Sequence, residues 1–569
     1  MNLPIGYDNF GSIIEKKLHF VDKSLFIKEV LLDAPQVTVI TRPRRFGKTL
    51  NLSMLRYFLS DQILGKPTKD LFNGLKIQEE QELCLQHQGK YPVIFVTLKE
   101  IKDGRFEIAY KRLKTLMSNL YSEHAELLSS EKLSAQQKKI YNLIVAREAD
   151  EIDLSDAFKN LCHYLFLHHG VKPWLLIDEY DTPLQSSYTH QYYGQMIELI
   201  RGLFSAALKG NEFLDRAVIT GILRVFSKES IFSGVNNLKV YSLLHSQYSQ
   251  YFGFTEAEVK ELLVMAKLEP LLNDIRSWYN GYLFGDTLVY NPWSIINCIQ
   301  DEGKLIPYWV NTSGEQLIRE IIIGSREEFK TGFEALLRGE TIERLINENM
   351  VFGDLRKNEM AAWSLLLMAG YLKVVAQQDT ERGLICTLDI PNREIRRLYG
   401  QIIEQWLANG HGLTWYSEFV ERLLTGKLDL FEYDLKRILQ ETISYNDTAK
   451  DPEIFYHGFM MGLTISVHYD SRYELSSNRE SGYGRYDYLI FSKDKDRPSV
   501  LLEFKRVDAV KNLEKLEEAL NQAASDALTQ IDNQGYVAEA KQRGANQILK
   551  VGLAFCDKRF VMMHTLEVC

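Results

Sequence analysis

The sequence predicts an α/β protein: a parallel sheet with helices on both faces, a largely helical middle region, and a smaller α/β domain at the C-terminal end. Three observations lead there. Apolar, β-branched runs at 37–41 (VTVIT), 91–98 (YPVIFVTL), 174–177 (WLLI) and 214–220 (LDRAVIT) alternate with longer stretches of helical spacing, the pattern of parallel strands joined by helical crossovers. A basic, glycine-containing turn, RPRRFGKT at 42–49, separates the first run from a helical pattern over 50–59. Near the C-terminus two extended segments, 484–491 (GRYDYLIF) and 500–505 (VLLEFK), flank a polar turn at 494–498 and read as a hairpin.

At 569 residues the chain exceeds what one core holds and should divide into about three or four domains. The expected division is 1–263 for the parallel sheet, 264–408 for a helical lid or winged-helix-like region, 409–450 for a helical connector, and 451–569 for the terminal α/β domain. With 45% hydrophobic and 25% charged residues, the composition is that of an ordinary globular protein. No run is long enough to span a membrane, and the N-terminus, MNLPIGYDNF, has no basic start followed by an apolar stretch; a cytoplasmic protein with no membrane partner is expected. The six cysteines are scattered without close pairs, which argues against a zinc ribbon or a disulfide framework. A formal net charge of −9 confines any nucleic-acid surface to a local patch.

Gly47, Lys48 and Thr49 fall where a strand turns into a helix, the position at which helix-start N–H groups and the helix dipole favour phosphate. In this P-loop reading Lys48 reaches the β and γ phosphates of ATP, and the Thr49 hydroxyl holds Mg²⁺. The place of the loop's first glycine is taken by Arg42, followed by Pro43. Arg42, Arg44 and Arg45 have three open readings: phosphate binding, nucleic-acid contact, or a solvated face. The strand WLLI ends in DEYD, so that Asp178 would help hold Mg²⁺ and Glu179 would polarise the attacking water. Thr220, at the tip of a later strand, is a candidate γ-phosphate sensor. Arg224 or Arg216 is a candidate arginine acting within the chain or on a neighbour in a homo-oligomer; an ordinary surface loop explains them equally well. The aromatic groups around Tyr279 and around Trp293 read as core or interdomain packing.

In the terminal hairpin, Asp487 lies on one extended segment and Glu503 and Lys505 on the other. Residues two apart on a strand share a face, so Glu503 and Lys505 point the same way and Phe504 the other. Two carboxylates and a lysine at one spot suit metal-assisted phosphodiester hydrolysis: the acids hold Mg²⁺, and Lys505 positions water and offsets charge on the scissile phosphate. A solvent-exposed ion pair is the competing reading, but the flanking residues are apolar, and a buried unpaired carboxylate is costly. Glu453 or Glu480 would complete the metal site. Gln530, on a helix expected over 523–536, would face it, and His457 reads as helix packing.

The ordered set RPRRFGKT, IDEYD, the 220–238 segment ending IFSGVNNL, YNPWS, FYHGF, SNRESGYGRYD, LLEFK and ALTQI resembles a bacterial family in which an AAA-ATPase-like domain is fused to a C-terminal nuclease domain of the PD-(D/E)XK superfamily. The resemblance covers nearly the whole chain and departs at Arg42. It implies nucleotide roles for Lys48, Thr49, Asp178 and Glu179. It also places the nuclease signature on Asp487, Glu503 and Lys505, with the helix glutamine at Gln530. The implied activity is ATP binding and hydrolysis coupled to Mg²⁺-dependent cleavage of nucleic acid, DNA in preference to RNA, in defence against foreign DNA. The alternative is an ATP-dependent conformational switch or scaffold whose nuclease-like domain binds nucleic acid or protein without cutting.

Overall fold

The run VTVIT forms β1 (Val37–Thr41), buried along its whole length. It shares one sheet with β2 (Val93–Thr97), β3 (Trp174–Asp178), β4 (Arg216–Gly221) and β5 (Leu238–Tyr241). The computed structural model describes the chain apart from residues 225–236, 310–314, 325–326, 350–351, 353–354, 356–357, 409–412, 446–461, 464–466, 468–471, 479–485, 509–511, 534–535 and 557–558. The sheet order is β2-β3-β4-β1-β5, with every neighbouring pair parallel. Strands covered on both faces are near-continuous apolar runs, and the first four announce themselves that way. β5 begins partly exposed and is four residues long, so it carries no such signal.

The chain divides into two units, one comprising Met1–Leu317 and Glu343–Ile395, the other Ile318–Ile342 and Arg396–Cys569. The sequence reading drew four segments instead. The reason for the difference lies in residues 318–342, which belong with the C-terminal part: Phe333 stacks edge-on against Tyr399 at 4.7 Å, and the Tyr488 hydroxyl donates to Glu334.

In the first unit, α1 (Lys48–Leu59) follows β1 and buries Leu52, Leu55 and Phe58, and α2 (Thr182–Thr189) follows β3. Beyond the parallel sheet the middle region is less helical than its texture suggests. It holds β6 (Phe254–Thr255), β7 (Tyr282–Phe284) and β8 (Thr287–Tyr290) in one sheet of order β6-β8-β7. A second sheet joins β9 (Ile342–Ile346), β10 (Lys373–Thr380) and β11 (Gly383–Asp389) in the order β9-β11-β10. Most of β10 is exposed, which removes the apolar alternation that would mark it. Between the two sheets in sequence, α3 (Pro292–Gln300) starts with proline at its first turn and with Asn291 accepting from the Trp293 N–H, two features that favour a helix start. Tyr279 and Tyr290 sit in a core with Val259, Leu262 and Ile275, as packing aromatics should.

α4 (Arg393–Ala408) begins in the first unit and continues in the second. The second unit carries β12 (Tyr473–Asn478), β13 (Tyr486–Ser492), β14 (Ser499–Arg506), β15 (Gln547–Cys556) and β16 (Arg559–Val568) in sequential order. All neighbours are antiparallel except β14 and β15. That parallel pair requires a crossover, supplied by α5 (Leu513–Asn533), which starts ten residues before the helix expected at 523. The close approach of α5 to the sheet depends on Gly552 of β15: a Cβ there would lie 2.5 Å from the Ala524 carbonyl oxygen and 3.0 Å from the Ala527 Cβ.

Candidate active sites

At the carboxyl edge of the parallel sheet a cavity of about 700 Å³ is lined by Arg44, Arg45, Gly47, Lys48, Thr49 and Glu179. Gly47, with φ of 87°, turns the chain into α1, a left-handed conformation that glycine adopts without steric penalty. The Lys48 ammonium is folded back on its own loop, donating to the Arg42 carbonyl at 3.0 Å and the Pro43 carbonyl at 2.9 Å. Burial lowers its pKa, and Glu179 and Asp178 pull the other way. Asp178 is fully buried, with one carboxylate oxygen accepting from Thr49 at 2.7 Å and the other from Thr220 at 2.6 Å. Burial raises its pKa, against those two hydrogen bonds. Thr97, at the tip of β2, adds a longer contact of 3.4 Å. Glu179 has φ of 52°, a strained value for a side chain-bearing residue that is common at functional sites; Thr182 of α2 donates to it at 3.2 Å. Asp181 accepts from the N–H groups of Ile222 and Leu223, which ties the DEYD turn to the end of β4.

The three arginines separate. Arg42 is buried and takes none of its expected roles. Its guanidinium donates to the carbonyls of Thr41, Tyr241 and Gln247 and lies 5.3 Å from the rings of both Phe252 and Phe284. Burial pulls its pKa down to about 9. The cation at the position of the missing glycine therefore points into the protein and braces the loop. Arg44 donates to Gln185 of α2, and Arg45 lies over the Trp293 ring at 4.2 Å. Arg216 starts β4 and donates to the carbonyls of Val30 and Asp33, at the opposite edge of the sheet from the phosphate turn. Arg224 follows β4 and is not among the residues lining the cavity.

In the second unit, Glu503 sits in β14 with no solvent exposure. Asp487 is described by its backbone, which lies directly opposite Glu503 in the antiparallel pairing, so both positions are on one face. The Lys505 ammonium lies 3.2 Å from a Glu503 oxygen and donates to the Gln530 side-chain oxygen. Phe504 turns away and stacks on Phe555 at 6.0 Å. On the parallel side Glu503 is level with Gly552, so the α5 face is also the Glu503 face. Neither Glu503 oxygen accepts a hydrogen bond among the described residues. One lysine does not compensate fully for burying a carboxylate; the donor set fits a cation such as Mg²⁺, with Glu503 and the Asp487 position as oxygen ligands. Glu453, Glu480 and His457 lie outside the described residues, and among those described no group of three potential ligands forms a metal cluster.

Residues 4–232 match the family described as predicted AAA-ATPase, and residues 451–565 match the PD-(D/E)XK nuclease superfamily. The chain joins an AAA-ATPase-like domain to a PD-(D/E)XK nuclease superfamily domain. It is 24% identical over 577 residues to an "Uncharacterized protein in vnfD 5'region" of Azotobacter chroococcum mcd 1, covering 99% of this chain and 98% of that protein. No helix among the described residues is long and apolar enough to cross a membrane. In the AAA-ATPase-like domain the structure brings together Lys48, Thr49, Asp178, Glu179 and Thr220. In the nuclease domain it brings together Glu503, Lys505 and Gln530, with Asp487 in register. Sequence reasoning missed Trp293, which lines the cavity at the carboxyl edge of the parallel sheet, and Gly552, which admits α5. The first was hidden in an aromatic cluster that otherwise packs as core; an isolated glycine in an apolar strand was a signal for the second.

Proposed function

We propose that the protein binds ATP and Mg²⁺ in the AAA-ATPase-like domain, hydrolyses ATP there, and cleaves DNA with Mg²⁺ in the nuclease domain, in defence against foreign DNA. The observation that carries the nuclease reading is the buried Glu503 carboxylate, which has no hydrogen-bond donor among the described residues and is flanked by Lys505, Gln530 and the Asp487 position. A bound divalent cation supplies Lewis-acid activation of water and stabilisation of the developing phosphate charge. Glu503, with the residue at the Asp487 position, would hold it; Gln530 fixes the Lys505 ammonium, and Lys505 would orient the attacking water and balance charge on the scissile phosphate. In the ATPase domain, Lys48 exchanges its two loop carbonyls for phosphate oxygens. Thr49 and Asp178 form the oxygen side of the Mg²⁺ site, and Glu179 accepts hydrogen bonds from the water that attacks the γ phosphate.

Purified protein incubated with single- and double-stranded DNA and RNA, with and without ATP, tests the reading. Cleavage of DNA is expected with Mg²⁺, and it should vanish in Asp487→Ala and Lys505→Ala with circular dichroism unchanged. Undiminished cutting by both variants removes the assigned site. Lys48→Ala should abolish ATP turnover, and a cleavage rate that then loses its ATP dependence would establish coupling. A second reading, an ATP-driven switch whose nuclease domain binds without cutting, is favoured by the net charge of −9; it predicts DNA binding and no product in any arm.

A further inference from the structure

We propose that Trp293 is a positioning residue for ATP turnover: its indole face holds the Arg45 guanidinium above the phosphate loop until nucleoside triphosphate draws it away. The proposal rests on the ATP reading of the cavity, which both residues line. Arg45 has φ of 69°, and its guanidinium lies 4.2 Å from the ring centre. Among the described residues it has no hydrogen-bond or ion-pair partner. Glu179 exerts the strongest attraction on it. A half-exposed π face binds a guanidinium more weakly than paired phosphate oxygens do, so the stack is a holding position that a triphosphate can outcompete.

Trp293 itself is fixed. Its indole N–H donates 2.9 Å to the Tyr308 carbonyl, and its backbone N–H donates to the capping Asn291. The adjacent Ser294 donates to the buried Glu394 at 2.8 Å. Glu394 also accepts from the N–H groups of Tyr308 and Trp309. The ring is therefore held by several hydrogen bonds beside an exposed cation that rests on its face. Its chemical consequence concerns Glu179: with the ring in place, Arg45 is kept from collapsing onto the carboxylate that must remain an acceptor for water. Without it, an Arg45–Glu179 ion pair forms, which impairs the chemical step more than nucleotide binding.

The test uses the full chain, with ATP affinity measured by calorimetry in Mg²⁺ and with steady-state ATPase kinetics. Trp293→Leu should bind ATP within about threefold of the parent while kcat falls on the order of tenfold or more. Trp293→Phe, which retains a π face, should recover most of kcat. ATP should change the emission attributable to Trp293, read as the difference between the parent and Trp293→Phe, and Arg45→Lys should abolish that change. Equal kcat in the parent and Trp293→Leu overturns the proposal, as does an equal loss in Phe and Leu variants. If Trp293→Leu does not fold, an emission difference unaltered by ATP in the parent also overturns it. Absence of ATP binding by the parent overturns the nucleotide reading itself, and is separable because it needs no variant.

Discussion

Glu503 and Arg42 are both fully buried charged residues, yet opposite stability effects are expected from removing their charges. Glu503 has no hydrogen-bond donor among the described residues, so the metal-free fold bears the cost of a poorly compensated carboxylate. Glu503→Gln should raise the urea midpoint of metal-free protein, by an amount corresponding to about 1–3 kcal/mol, while eliminating Mg²⁺ uptake and cleavage. A lowered midpoint together with retained cleavage would refute the metal-ligand role. Arg42, in contrast, satisfies three carbonyls. Restoring the missing loop glycine by Arg42→Gly should destabilise the protein by about 3 kcal/mol or more, because acceptors and a cavity are left behind, and it should not improve ATP affinity. Chemical denaturation and calorimetry decide both points. A tighter-binding, equally stable Arg42→Gly variant would show that the arginine is only a degraded P-loop position.

Among the elements, the contact between α5 and β15 controls the distance from Gln530 to Lys505. Gly552→Val would place new atoms where the Ala524 carbonyl already stands 2.5 Å from an ideal Cβ, lifting the helix or bending the strand. Overpacking of this kind costs about 1–3 kcal/mol, and a shift near 1 Å at a catalytic group lowers rates about 100-fold. Cleavage should therefore fall far more than helix content measured by circular dichroism; an unaltered rate would detach Gln530 from the reaction. How far these elements could be read from sequence follows from their burial. β1 to β4 are apolar runs covered on both faces, and the candidate residues sit at or just past their ends, so the grouping of Lys48, Asp178 and Glu179 at one edge of the sheet was legible. The period of two along β14 likewise separated Glu503 and Lys505 from Phe504. β5 is too short to register, and β10 faces solvent along most of its length, so its sequence KVVAQQDT carries polar residues where alternation would be sought. Trp293 was illegible for a different reason: nothing local distinguishes a ring facing a cavity from Tyr279 and Tyr290, which face a core.

At the scale of the whole molecule, the chain leaves the first unit after Leu317, returns after Ile342 and leaves again after Ile395, so α4 is a covalent bridge whose first turn carries Glu394. That carboxylate is buried and secures the start of α4 to Ser294, Tyr308 and Trp309. Burial pushes its pKa up from the ordinary 4.5 to about 7, against those three sets of hydrogen bonds. The titratable groups facing it, Tyr279, Tyr282, Cys298 and Tyr308, are themselves raised by burial and provide no positive charge near neutrality. Because the folded pKa exceeds the unfolded one, the folded protein holds this proton more tightly. The resulting stabilisation is complete below about pH 4.5 and is lost as pH rises through about 7. The loss amounts to about 3 kcal/mol at most, from a shift worth 1.36 kcal/mol per pH unit. Glu394→Gln keeps an acceptor for the two backbone N–H groups and a donor for Ser294, but cannot ionise. Urea midpoints at pH 5 and pH 8 should therefore diverge less in Glu394→Gln than in the parent, with the variant gaining most at pH 8. Parallel pH profiles would mean that the clamp at the head of α4 does not titrate.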